Sequence, residues 1–306
     1  MATLARGVAV QRTWAHRMRT PRVAGYLLVL PAIIYVLALI GFPLVLGLWY
    51  SLTNTTVAQP GHFVGLQNFI DVARDPTFRL AARNTLIIGV IATAAKITLS
   101  VGLAFLMLGA FPGRGILRIL FVLPWTIPIA LSTIAYKWMF HSQYSVINWM
   151  LIQLGIIDQG IQWLGTPIPA MGAVIFVSTW RAVPFGAITV LAGLTAIPTE
   201  VIEAARIDGA GWWARFTKVI VPIIAPILFI ALLFDLIFTL TELTVVFILT
   251  GGGPVDQTQV LANYALQVGV NGMQLGQGAA IALYLLPVLL VLTVLSLRHI
   301  GKREGM

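Results

Sequence analysis

Six apolar stretches, near residues 24–50, 85–110, 115–140, 168–196, 224–250 and 277–297, decide what this chain can fold into. Each comes close to the roughly 20 residues needed to cross about 30 Å of hydrocarbon at 1.5 Å per residue. Within them the apolarity is continuous rather than alternating. Helices, which pair all their own backbone groups, are therefore expected and a barrel is not. With 59% hydrophobic and 9% charged residues, the chain has too little polar surface to coat a soluble globule. The expected fold class is an all-α membrane protein of six transmembrane helices.

The charges orient those helices. Residues 1–23 hold Arg6, Arg12, Arg17, Arg19 and Arg22 and no acid. The apolar run that follows is longer than the roughly 7–15 residues of a signal-peptide core, so it reads as an uncleaved span. With the amino end inside, the cytoplasmic segments gather thirteen Lys and Arg, among them Arg114, Arg118, Arg206, Arg215, Lys218, Arg298, Lys302 and Arg303. The outer segments hold only Arg74, Arg79 and Arg83. The positive-inside rule then places both termini in the cytoplasm and accounts for the net charge of +9 without nucleic acid. The expected division is a cytoplasmic segment 1–23, a six-helix domain 24–297 and a cytoplasmic tail 298–306.

Several chemistries are missing. The chain has no cysteine, which excludes disulfides, thiolate metal sites and a cysteine nucleophile. Its four histidines, His16, His62, His141 and His299, show no His-x-x-x-His spacing, so zinc is not expected. No GxxxxGK[ST] occurs, and the turn Thr250-Gly-Gly-Gly-Pro-Val-Asp256 lacks the Gly-Lys-Ser/Thr of a phosphate loop. No cofactor and no enzymatic activity are expected in this chain itself.

Outer loops carry smaller signals. Residues 64–78 read as an amphipathic surface element, and Asn148, Trp149 and Trp163 as interfacial residues.

One polar interruption, Ile197 to Pro222, separates the fourth and fifth apolar stretches and holds three of the ten acids and three of the nineteen basic residues. Its opening proline, Glu/Ala-rich turn, central glycine and closing proline predict a short helix, a break and a second short helix at the membrane surface. Within it Glu203-Ala-Ala is followed by three residues, Gly209, nine residues and Val219-Ile-Val-Pro222. That spacing resembles the EAA loop of permease subunits from binding-protein-dependent ABC importers, with Val219 and Val221 in place of the usual Ile and Leu. The resemblance runs through nearly the whole chain and points to the maltose- and glycerol-phosphate-type carbohydrate-uptake branch. It is carried by Gly65-Leu-Gln-Asn-Phe69, Arg83-Asn-Thr85, Leu123-Pro-Trp125, Tyr136-Lys-Trp-Met-Phe140, Ser145-Val-Ile-Asn148, Trp180-Arg-Ala-Val-Pro-Phe185 and Leu249-Thr-Gly-Gly-Gly-Pro254.

The resemblance implies a coupling helix that docks on a separate ATPase, with Glu203, Ala204, Ala205, Arg206, Asp208 and Gly209 at the contact. Small Ala204 and Ala205 suit close approach, Gly209 suits a chain reversal, and the charged residues offer charge-assisted bonds. Trp212, Trp213 and Phe216 would hold the second half of the loop against the bundle or the headgroups. It also implies a second, non-identical permease, two copies of an ATPase that uses ATP and Mg, and an extracytoplasmic sugar-binding protein. The setting would be a prokaryotic inner membrane and the mechanism alternating access.

Charged groups inside a bilayer cost about 2.5–3.5 kcal/mol each at a helix centre, so each needs a reason. Lys96 reads as snorkelling and Lys137 as an outer anchor. Arg181 lies fifteen residues before position 196 and Thr239 fourteen after 225, which places both about 21–22 Å from the inner boundary. Asp235, Thr239 and Glu242 fall on one helical face by i, i+4, i+7 spacing, as do Ser178, Arg181 or Ala182, and Phe185. With Phe238, these residues are expected to line the substrate path, because sugars take carboxylates for their hydroxyls and aromatic faces for their C–H side. A structural ion-pair network of Arg181, Asp235 and Glu242, or contacts to a partner permease, is the competing reading. A different class of function, a secondary transporter carrying its coupling proton on Asp235 or Glu242, is the alternative.

Overall fold

Prolines and glycines cut the apolar sequence into helices. The computed structural model describes residues 21–109 and 111–304, and among these no strand forms beyond a single antiparallel bridge between Thr53 and Phe63. The expected segment 1–23 falls almost wholly outside the described residues. The chain divides into one unit ending at Trp49 and another beginning at Tyr50.

In the first unit, Pro21–Val36 and the start of Phe42–Ser51 are joined through a wide turn at Leu37–Gly41 into α1. The second unit continues with α2 (Gln67–Arg74), α3 (Pro76–Leu108), α4 (Arg114–Thr126), α5 (Ile129–Met139), α6 (Val146–Gln153) and α7 (Pro167–Thr195). After these come α8 (Thr199–Ile207), α9 (Trp212–Leu240) and α10 (Thr244–Leu249). The chain finishes with α11 (Leu261–Leu266), α12 (Leu275–Leu283) and α13 (Leu286–Glu304). Among the described residues, five helical runs are long and apolar enough to cross a membrane: Gly25–Ser51, α3, α7, α9 and Leu275–His299.

The sixth expected span, 115–140, is broken. α4 and α5 meet at 95°. Ile127, which precedes Pro128, is extended at φ −76°, ψ 132°, because the proline ring disfavours helical geometry in the residue before it. Counting this bent pair as one span gives six. The fifth span also departs from its expected bounds. α9 starts at Trp212 and runs through Pro222, because a wide turn at Phe216–Ile220 lets the Val221 N–H reach the Phe216 carbonyl just before the proline, which has no donor. The second half of the 197–222 loop is thus the root of the span rather than a separate short helix.

The core of this unit is the α3–α7 seam. Helices in hydrocarbon gain from close packing rather than from hydrophobic expulsion, so small residues are favoured at such seams. Ala92 and Ala173 lie buried in one cluster with Ile88, Val174 and Val177. At Gly186 even a Cβ would stand 2.3 Å from the Ser100 hydroxyl, which donates a 3.0 Å bond to the Val183 carbonyl across the seam. α9 packs on the same pair, with Ile224 buried beside Ala104, Val190 and Leu194.

The segments at the α2 end of the unit are fastened by polar side chains. Asp75 caps α3 by accepting the Thr77 N–H at 2.7 Å, and its other carboxylate oxygen accepts a short bond from the Tyr264 hydroxyl. Burial, then that bond and the carboxylate charge, hold the Tyr264 phenol well above its usual titration range. As expected, 67–74 forms a surface helix that buries one face through Asn68 and Val72. Of the three residues expected at an interface, Trp149 is exposed, Asn148 buried and Trp163 half-buried. Asn148 is buried and bridges the 154–161 connection, bonding Ile161 on both backbone groups and accepting the Trp163 indole N–H at 2.8 Å.

Candidate functional site

Two polar regions stand out, one at the loop between α7 and α9 and one inside the helices. In the loop, Thr199–Ile207 is helical and buries none of its residues. Glu203, Ala204, Arg206 and Asp208 are exposed and Ala205 is half-buried. Ile207, a large apolar side chain, is 86% exposed. Gly209 follows at φ +76°, a left-handed conformation that reverses the chain at little steric expense only for glycine. The Ala210 carbonyl accepts a 2.7 Å bond from Arg215, which closes the turn. Trp212 and Phe216 stack with centroids 5.5 Å apart, and Phe216 meets Phe105 of α3 edge-on at 5.5 Å. Phe216 therefore anchors the loop to the bundle, while Trp212 and Trp213 remain largely exposed.

Inside the helices, the residues expected on two facing surfaces of α7 and α9 are distributed differently. Asp235 faces α3. Its carboxylate forms an ion pair with Lys96 at 3.2 Å and accepts the Thr93 hydroxyl at 2.8 Å. Lys96 also donates to the Thr239 hydroxyl at 2.7 Å, and that hydroxyl donates in turn to the Asp235 backbone carbonyl at 2.7 Å. The Lys96 side chain is 8% exposed and Asp235 22%, so Lys96 does not snorkel to a surface. Burying one charge without the other would leave an uncompensated ion, and the threonines fill further bonding positions of the pair.

Glu242 does not continue the Asp235–Thr239 face. α9 ends at Leu240, Thr241 serves as its cap, and the Glu242 carboxylate turns to accept the N–H groups of Thr244 at 2.8 Å and Val245 at 3.4 Å at the start of α10. A carboxylate at a helix N-terminus satisfies orphan donors and complements the dipole.

On α7, Ser178 is buried and Ala182 and Arg181 are half-buried. Neither the Ser178 hydroxyl nor the neighbouring Thr179 hydroxyl has a hydrogen-bond partner, and the Arg181 Nε is buried without one. Phe185 is exposed and stacks on Trp125 of α4 at 5.5 Å, and Phe238 is 69% exposed. A cavity of about 500 Å³ opens between α3, α4 and α7, lined by Phe121, Pro124, Phe176, Thr179 and Trp180 among others. Lys137 is exposed in the last turn of α5, in keeping with an anchor.

The sequence reading did not assign Thr93, and it took Lys96 for a snorkelling residue rather than the partner of Asp235. The signal was present: Thr93, Lys96 and Ser100 form a polar stripe by i, i+3, i+7 spacing, and a stripe of that kind marks a face turned toward other helices.

Among the described residues the chain is helical, with an exposed loop helix between two long apolar helices. Residues 96–303 match the family of binding-protein-dependent transport system inner membrane components, and the chain belongs to that family. It is thus a multi-pass inner-membrane permease of the ABC importer type, and this membership gives the proton-coupled alternative no support. The chain is 32% identical over 275 residues to the trehalose/maltose transport system permease protein MalF of Thermococcus litoralis, covering 90% of this chain and 92% of that protein. It is likewise 32% identical over 286 residues to the sulfoquinovosyl glycerol transport system permease protein SmoG of Agrobacterium fabrum, covering 92% of each. Its fold resembles a chain of a bacterial ABC transporter involved in the import of the acidic polysaccharide alginate, with a TM-score of 0.79 at 23% identity over 92% of this chain and 95% of that one.

Proposed function

We propose that this permease forms half of the translocation path for a sugar or related carbohydrate. The 197–222 loop receives the energy of ATP hydrolysis from a separate subunit. The observation that carries the proposal is α8: an apolar and charged helix with no buried residue, placed between two core spans and reversed at Gly209. Glu203, Ala204, Ala205, Arg206 and Asp208 supply its docking face, and Gly209 its bend. The charge bias of the sequence supports a cytoplasmic position for this loop and both termini.

The complete assembly on this reading has a second, non-identical permease, two ATPase copies that bind ATP and Mg, and an extracytoplasmic sugar-binding protein. The substrates for which the relatives are named, trehalose/maltose and sulfoquinovosyl glycerol, support a carbohydrate cargo. Within the helices, the unpartnered polar groups of Ser178 and Arg181 and the aromatic faces of Phe185 and Phe238 supply the path. Asp235, Thr239 and Glu242, with their bonds already made within the chain, shape its wall. Purifying the tagged chain from its native membrane and identifying what accompanies it tests the reading, followed by a ligand screen on the recovered binding protein. An ATPase, a second permease and a sugar-binding protein are expected. Uptake by this chain alone, without an ATPase, would overturn it.

A further inference from the structure

The loop between α7 and α9 is fixed to the bundle at both ends, yet α3, which neither begins nor ends there, is the helix that α7 and α9 both pack against. The α3–α7 contact is rigid because Gly186 sits directly against Ser100. The α3–α9 contact has two parts. Gly89 lies so close under Leu240 that a Cβ would approach its Cδ2 to 2.7 Å, and about two turns further along α3 the Lys96–Asp235 pair joins the helices, reinforced by Thr93 and Thr239. A buried ion pair is poor evidence for added stability, since apolar residues of similar volume often do as well, but it specifies register between the elements that carry it.

Resting on the proposed function, we infer that Lys96 and Asp235 form a clasp that keeps α9 in register with α3. A displacement of the loop then moves α3, α7 and α9 as one body. Lys96 and Asp235 are positioning residues on this account and do not touch the cargo.

The natural absence of cysteine makes the test direct. The permease complex is purified with its partner subunits, reconstituted in nanodiscs, and assayed for ATP hydrolysis with and without its cognate binding protein. In one variant, Gly89→Cys with Leu240→Cys, oxidation links α3 to α9. Stimulation by the binding protein should stay within about two-fold of the reduced sample, well below the five-fold that marks a lost coupling. In a second, Lys96→Met with Asp235→Leu removes the clasp without stranding a charge. The complex should assemble, but stimulation should fall by about five-fold or more, the scale of a coupling between distant sites. Lys96→Arg should recover most of it. Loss of stimulation on cross-linking, reversed by reductant, would show that the helices must part and would overturn the inference, as would full stimulation in the apolar double variant. If the unmodified complex hydrolyses no ATP, the importer reading falls and the clasp with it; hydrolysis with a failed clasp test leaves that reading standing.

Discussion

The loop at 197–222 and the cluster around Lys96 are both polar intrusions into an oily chain, and they are built in opposite ways. In the cluster every charge that lies deep has a partner from another helix: Lys96 from α3 meets Asp235 and Thr239 from α9. In α8 the charges of Glu203 and Arg206 lie exposed, and Ile207 presents an apolar side chain to the outside. Polar groups that satisfy one another fix the register of the helices that carry them. Those left unsatisfied within the chain, beside an exposed apolar residue, are suited to another molecule. On the proposed reading, the contrast separates what sets helix register in this permease from what would connect it to a partner subunit.

Substitutions can break the contrast from either side. The largest effect on stability is expected at the cluster. Lys96→Met leaves the Asp235 carboxylate buried without its counter-ion, at about 3–5 kcal/mol, and should be seen as a collapse in the yield of folded protein by size-exclusion chromatography. Adding Asp235→Leu should restore most of that yield. Next comes Gly209→Val, which forces a β-branched residue into a left-handed conformation at about 1–2 kcal/mol or more. Its cost should be local, leaving the melting of the bundle little changed while recovery of the ATPase falls. At Glu242 the capping geometry predicts that Ala costs about 1 kcal/mol and Gln, which keeps an accepting oxygen, less, measured by thermal denaturation in detergent. Smallest in stability is Arg181→Gln, within about 0.5 kcal/mol, because Arg181 forms no ion pair among the described residues. Uptake in whole cells should nevertheless drop. An Arg181→Gln protein that transports normally would assign this residue to the wall and not to the path.

Much of the architecture was legible because the bilayer enforces it. Apolar runs of the right length located α3 and α7 to within a few residues at their loop-facing ends, and the Glu203-Ala-Ala spacing to Gly209 anticipated both the short helix and its reversal. The misreadings arose where local geometry overrode apolarity. Pro128 split the third apolar stretch, whereas Pro222 did not end a helix, because the wide turn before it absorbed the missing donor. Whether a proline breaks or merely loosens a helix depends on the turn preceding it, which apolarity does not encode. The cluster was half legible. Asp235 and Thr239 do share a face, but their partner lies on a helix 140 residues away in sequence, and no spacing rule identifies it. Glu242 was misplaced because helical periodicity was extended past Leu240, where the helix stops.

The measurement that bears most directly on the loop is the ratio of ATPase to permease recovered when the tagged chain is purified from its own membranes, compared with a Glu203→Lys, Ile207→Ser variant. Both positions are exposed, so the bundle should melt as before. The ratio should fall on the order of ten-fold, as when central contacts of an interface are removed. An unchanged ratio, with the variant folded and the ATPase still bound, would contradict the assignment of this helix as the point where the energy enters.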